Sequence, residues 1–400
     1  MSFTKTISAR SIIDQLAPVL REITESAAQR EADRDFSRDL VAKLKASGFT
    51  RLRVPTEFGG FGLSLPEAFE VLVELAAADS NLAQGLRPHF LAVESLLTAP
   101  DSEHRSTWLR RIGEEGVVVG NALTEVGNKS GNLSTTIREV DGKLVVSGTK
   151  FYSTGSLYAD WIQVHALDEN DQDVFVFIDR DAKGVTLFDD WDGFGQQLSA
   201  SGTSIFDNVV VDPIDVAYRE YSAPGAFQAT AQSHHLSTLT GISRAVVRDI
   251  VDYVQARTRV YSHGSGDLPR HDPQVQQVIG EVKAASYGVD KVFEGFVRAL
   301  DRVSTKAQAG TATEEDYAAI DLEAYQAQLT IAPVVLAQAT KAFEVGGASA
   351  ASKKLGLDRH WRNARVLANH NPIIYRARLI GADAVNGGHV AAQYTIGSHS

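Results

Sequence analysis

Four sets of residues in this chain have the types and spacing to do chemistry. The first is Phe151-Tyr152-Ser153-Thr154-Gly155, whose pattern predicts a strand ending in two small hydroxyls. The segment from Asn121 to Asn132 precedes it and is rich in small polar residues with free backbone N–H groups. Such a pair of features can hold a planar ligand with polar edges, and it equally suits an ordinary series of β-turns. The second set is Arg259, Arg359 and Arg362, whose planar forks suit phosphate. Arg359 and Arg362 stand three apart and share one helix face, either as a phosphate grip or as a solvated pair. The third is His370-Asn371-Pro372, a polar step in an otherwise apolar tail segment; His370 is there either a reactive group or a capping or core histidine. The fourth is His89. With Gln84, Arg87, Pro88 and Phe90 it interrupts a nearly apolar helical pattern, as a pocket lining or as a satisfied core group.

Composition narrows what these sets can do. The 400 residues, 44% of them hydrophobic, can build a large core and two or three domains. A net charge of −11 argues against a general nucleic-acid or anionic-membrane binder. There is no cysteine, which removes disulfides, thiolate metal sites and a cysteine nucleophile. No metal site is expected: Asp168-Glu169-Asn170-Asp171 lacks the spacing of a calcium loop and reads as a hairpin tip. His234 and His235 are adjacent, so on a helix they cannot face one metal together. The N-terminus has no secretory pattern and no apolar run is long enough to span a membrane, so a cytoplasmic location is expected. Walker, GxGxxG, HExxH and GxSxG motifs are all missing.

The elements that must position the four sets follow from periodicity. Residues 1–116 read as a helical domain, with Ser64 and Glu67 forming a capping box ahead of a helix through Ala78. Residues 117–220 read as a β-domain, a barrel or sandwich, in which Asp141-Gly142 marks a hairpin. Residues 221–400 read as a bundle of four long helices, with segments from Ala226 to about Arg259, Val275 to Val303 and Ala318 to Phe343. Helices, then strands, then a bundle define an α+β chain.

Val54–Gly62 (VPTEFGGFG), 122–132 (ALTEVGNKSGN), Val146–Thr154 (VSGTKFYST), Ser201–Val211, Arg257–Tyr261, Phe343–Gly347 and Asp358–Arg365 resemble the acyl-CoA dehydrogenase superfamily in order and spacing. The resemblance implies an N-terminal helical domain, a middle β-domain and a C-terminal four-helix bundle, assembled as a homotetramer with flavin between sheet and bundle. Many of these dehydrogenases carry a catalytic Glu where this chain has Ala368-Asn369-His370-Asn371-Pro372. Leu75–Phe90, Gly193–Thr203 and Leu357–Pro372 are most similar to the flavin-dependent monooxygenase branch, which includes dibenzothiophene monooxygenases and sulfur-acquisition oxidoreductases.

That resemblance implies a two-component enzyme. Members take reduced FMN from a separate reductase, with FAD as the alternative flavin, and form a C4a-hydroperoxide with O2 that oxygenates a small substrate at sulfur or nitrogen. By the same resemblance Thr124, Asn128 and Ser130 match the flavin-edge loop, Ser153 or Thr154 lies near flavin N5, and Arg259 is a phosphate ligand. His370 is then the proton donor, with an ordinary pKa near 6.5 that allows either protonation state, and His89 lines the substrate pocket. Two other readings are an acyl-CoA dehydrogenase with a relocated base and a non-catalytic flavin-binding protein.

Overall fold

The computed structural model describes residues 8–125, 133–218 and 226–387. The N-terminal helices are α1 (Ala9–Asp33), α2 (Arg38–Ala46), α3 (Leu65–Ala78), α4 (Ser80–Thr98) and α5 (Glu103–Glu115). The capping box forms as expected: Glu67 accepts from the Ser64 N–H at 3.0 Å and from its hydroxyl at 2.7 Å. The Asp79 carboxylate then accepts the Asn81 N–H at 2.8 Å, so one residue ends α3 and starts α4. Pro88 lies inside α4 and takes away the donor that the Gln84 carbonyl would meet four residues on. Helix α4 is buried on nearly every side.

The strands are β1 (Val119–Ala122), β2 (Thr136–Val140), β3 (Lys143–Lys150), β4 (Trp161–Leu167), β5 (Asp173–Asp179), β6 (Val185–Leu187), β7 (Ser204–Val211) and β8 (Val216–Tyr218). Asp141 and Gly142 both take positive φ, 51° and 73°, as a type I′ hairpin requires, and β2 pairs with β3 from Val140–Lys143 outward. The half β6-β7-β3-β2 meets the half built on β4, β5, β8 and β1 through one pair, Thr136 with Leu167. The halves share an apolar core that includes Ile137, Val146, Phe206, Ile162, Val164 and Val176, a sandwich-like arrangement.

The C-terminal part holds α6 (Phe227–Ala256), α7 (Pro273–Gln308), α8 (Glu314–Lys341), α9 (Asp358–Asn369) and α10 (Ile373–Asn386). Only three of these are long, a correction to the four expected. Three short 3-10 turns from Ala342 to Leu355 break the chain after α8, and Pro372 separates α9 from α10. Helix α6 also ends at Ala256, so Arg259 lies beyond it in an exposed segment. Helices α1, α3 and α4 share one large core with α6, α7 and α8. Leu16 and Ile23 of α1 are fully buried there, each contributing about 1.5–3 kcal/mol.

A seam of buried ion pairs fixes α9 against the rest. Arg362 bonds Glu31 of α1 at 2.7 Å, and Glu31 also accepts from Asn81 at 2.8 Å and Asn363 at 3.0 Å. Asn363 accepts the Gln196 N–H at 2.6 Å, which ties in the loop before β7. Asp249 of α6 takes Arg359 at 2.6 Å and the His360 Nε2–H at 2.8 Å. These bonds set where α9 delivers His370.

Candidate active site

The sheet end approaches α4 through glycines. Gly155 has φ of 79°, and a Cβ there would stand 2.3 Å from the Gly85 carbonyl oxygen. The expected strand through Gly155 is corrected: β3 stops at Lys150, and residues beyond Phe151 turn. Tyr152 takes a left-handed φ of 57°, the Ser153 N–H bonds the Gly202 carbonyl at 3.1 Å, and the Gly155 N–H bonds that of Ser199 at 3.0 Å. Ser153 is fully buried and its hydroxyl has no partner among the described residues; Asn121 Oδ1, on β1 alongside, is likewise unpaired among them. Thr154 differs, because its hydroxyl is shared with Ser201 at 3.0 Å. Thr124 is exposed, bridges Phe151 and donates its hydroxyl to the Phe151 carbonyl at 2.8 Å.

Glu125 anchors this edge. It bonds buried Lys150 at 2.8 Å and accepts from the N–H and hydroxyl groups of Ser134 and Thr135. Burial alone would raise its pKa; the bonds from Lys150, Ser134 and Thr135 outweigh that and hold it well below the usual range. Asn128 and Ser130 lie outside the described residues.

Across from the sheet, His370 follows the last residue of α9 and packs its ring on His235 of α6, with centroids 4.0 Å apart. His370 keeps an exposed surface, whereas His235 is buried. Asn371 donates to Gln232 at 2.8 Å. His234 turns elsewhere, against Phe69 at 4.9 Å and Phe90 at 6.1 Å. Arg87 of α4 faces all three histidines closely enough for its charge to lower their pKa values. Burial is the first cause for each, and Arg87 adds to it; the Asn371 bond opposes the shift at His370. His234 is pushed down to about 3 and His235 well below 6.5, so these two buried rings are neutral at pH 7. Arg87 is itself buried, with no hydrogen-bond or ion-pair partner among the described residues, and burial lowers it to about 10, still charged.

The sequence-predicted residues separate on this geometry. Ser153, Thr154 and Thr124 lie together at the sheet end, while His370 lies past the end of α9 against α6. Arg359 and Arg362 join neither, which corrects the phosphate grip: both are consumed by the carboxylates of the seam. His89 is also corrected. It is fully buried, its Nε2 bonds the Thr50 carbonyl at 2.5 Å and its Nδ1 accepts the Val119 N–H at 3.3 Å. With both nitrogens used by backbone, and burial lowering its pKa to about 4, it holds α4 against β1 as a neutral ring. Arg87, His234 and His235 were missed as site residues. The available signal was the Gln84/Arg87 pair, three apart on an apolar helix with no acid from Ser80 to Val93.

A helical domain, a sandwich-like sheet and a helical C-terminal part define a three-part chain. The family models "Acyl-CoA dehydrogenase, N-terminal domain", "middle domain" and "C-terminal domain" match residues 12–115, 120–209 and 234–373. The chain belongs to the acyl-CoA dehydrogenase superfamily. It is 28% identical over 386 residues, 94% of each chain, to the "Probable FMNH2-dependent monooxygenase SfnC" of Pseudomonas putida. It is 27% identical over 361 residues, 86% of each chain, to a dibenzothiophene monooxygenase of Rhodococcus erythropolis. The solved structure of the methanesulfinate monooxygenase MsuC from Pseudomonas fluorescens superposes with a TM-score of 0.84 at 26% identity, covering 95% of this chain and 98% of that one.

Proposed function

We propose that this protein is an FMN-dependent monooxygenase, supplied with reduced FMN by a separate flavin reductase, that oxygenates a small organic substrate at sulfur or nitrogen. The relatives named for sulfur compounds favour sulfur. One observation supports the reading: the segment after α9 carries His370-Asn371 and no carboxylate, and the stretches of α4 from Ser80 to Val93 and α6 from Phe227 to Arg248 contain no Asp or Glu. Acyl-CoA dehydrogenation needs a base for the α-proton, and neutral rings beside a buried guanidinium are poorly suited to that step.

The residues present fit FMN. Ser153 Oγ and Asn121 Oδ1 are buried polar atoms left without partners among the described residues at the sheet end, suited to the polar edge of a flavin ring. Thr124 would hold that edge from the loop side, while Ser201 sets the orientation of the Thr154 hydroxyl. Arg259, exposed and outside the seam, suits the phosphate. When bound, reduced FMN supplies two electrons and activates O2. His370 is lowered from its ordinary value by its surroundings, which favours the neutral ring, with one proton to donate and one lone pair to accept. The Phe69 and Phe90 rings around His234 keep water from that wall.

No helix among the described residues is long and apolar enough to cross a membrane. We place the reaction in the cytoplasm, with its reductase, and the chain in a homotetramer. Ile374 (74% exposed), Tyr375 and Val385 on α10 support burial against another copy. Sedimentation should give a mass about four times that of one chain. The activity is tested with purified protein, a flavin reductase, FMN, O2 and a panel of thioethers, sulfones, sulfinates and amines. A product heavier by one oxygen, formed only with all components, is expected; peroxide release with no substrate modified would reject the reading.

A further inference from the structure

Arg87 is the one feature of the junction that the proposed activity does not use. A guanidinium buried without a counter-charge is costly, and proteins normally pair it or leave it in water. Other arginines inside the described residues have partners: buried Arg30 bonds Asp79 at 2.6 Å, buried Arg376 lies over the Tyr325 ring at 3.6 Å from its centroid, and half-buried Arg53 and Arg359 bond Glu94 and Asp249, each at 2.6 Å. Arg87 has none among the described residues, and its Nε is both buried and unbonded. Around it are groups that accept a proton or share one, but no acid: Gln84 Oε1, His234 Nε2 and His235 Nδ1 are buried and unpaired as well. An unpaired cation among unpaired neutral groups forms half of an anion site, with the ligand as the other half.

We propose that Arg87 is the specificity-determining residue of the substrate pocket, binding the acid group of a small organic anion, a sulfinate, sulfonate or carboxylate, beside His235 and His370. The inference rests on the reading of this junction as the substrate site. The planar fork matches a two-oxygen acid group. Arg87 lies on rigid α4, whose neighbour Pro88 fixes the local backbone, and the close approach of Gly85 to Gly155 seats that helix on the sheet-end turn. The anion would supply the charge that the pocket lacks. A neutral aromatic sulfide would leave the guanidinium buried and unpaired, so discrimination against such compounds follows from the same residue.

The test is calorimetric titration of the FMN-loaded protein with methanesulfonate, benzenesulfonate and benzoate, each set against a neutral counterpart: dimethyl sulfone, methyl phenyl sulfone and benzamide. Wild type is expected to prefer at least one anion by about 30-fold or more, the usual consequence of pairing a buried charge. Arg87→Met should abolish that preference while FMN affinity stays unchanged, and Arg87→Lys should restore part of it. The ligand-free Arg87→Met variant should unfold at the same or higher urea concentration than wild type, because it removes an unpaired charge. A merely structural arginine would lower it. Equal binding of anions and neutral counterparts by wild type, a preference that survives Arg87→Met, or a matching loss of FMN affinity would each overturn the assignment. Titration needs no turnover. A protein that holds anions through Arg87 yet oxygenates nothing would sink the monooxygenase reading and leave this one standing. Oxygenation of neutral compounds at rates indifferent to Arg87 would do the reverse.

Discussion

Helix α9 has an arginine–histidine cluster near its start and another around its C-terminus, and the two follow opposite rules. At the start, Arg359, His360 and Arg362 each meet a carboxylate, from Asp249 or Glu31. Around the end, Arg87, His234, His235 and His370 meet none. The residue types are the same, so type alone does not mark a site. What separates architecture from chemistry here is whether the charge and hydrogen-bonding capacity are used up inside the chain. The seam is complete without a ligand, and the junction is not.

The comparison breaks first under Glu31→Ala. That change removes one buried acceptor shared by Arg362, Asn81 and Asn363, although Arg362 keeps Asp358 and the Phe194 carbonyl and Asn363 keeps Ser80; it should cost about 3 kcal/mol, read from urea unfolding. Loss below about 1 kcal/mol would mean that the seam does not hold α9. Removing His370 by His370→Ala should leave stability close to wild type, yet slow oxygenation about 100-fold or more.

Acid should separate the buried histidines from the seam's carboxylate. His89 and His234 have folded pKa values of about 4 and about 3, below the ordinary 6.5, chiefly through burial. The unfolded chain therefore binds more protons from pH 6.5 downward. The stability that these rings give is complete above pH 6.5 and drains away as pH falls towards 4, on the order of 3 kcal/mol for each. In the seam, His360 is lowered by burial and moves in the same direction, while Asp249 responds later. Burial would raise Asp249, but the bonds from His360 and Arg359 outweigh it and hold it below 3.8. Its contribution is present above that value and is lost only under stronger acid. Unfolding measured from pH 7 to 3 should decline from about 6.5 onward; a flat profile down to pH 4 would contradict neutral buried histidines.

The smallest effect belongs to Ser153→Ala. Its hydroxyl is already unpaired among the described residues, so the ligand-free protein should lose almost nothing, while FMN affinity should fall by about tenfold, one hydrogen bond's worth. An equal loss of stability and no change in FMN binding would make Ser153 a core residue.

Much of the framework was legible because its causes are local. The Asp141-Gly142 turn, the Ser64–Glu67 box and the helical periodicity each act within a few residues. The errors about side-chain roles share one origin, partners distant in sequence. Arg362 finds Glu31 across 331 positions, and Arg359 finds Asp249 across 110, so neither pairing could be read from an i, i+3 spacing. His89 finds the Thr50 carbonyl in the same way. Arg87 was visible as a polar step in an apolar helix, but only the fold reveals that no acid reaches it. The hydroxyl turn at Ser153 was read as a strand because a left-handed Tyr152 has no sequence signature.

The central claim is oxygen transfer at a junction without a catalytic carboxylate. The most direct measurement is turnover under 18O2 with reduced FMN and a sulfinate or thioether, comparing wild type with His370→Ala by mass spectrometry of the product. The account predicts one labelled oxygen in the wild-type product and a strongly reduced yield in the variant. An unlabelled, desaturated product from an acyl-CoA, with flavin bleaching in the absence of oxygen, would contradict it.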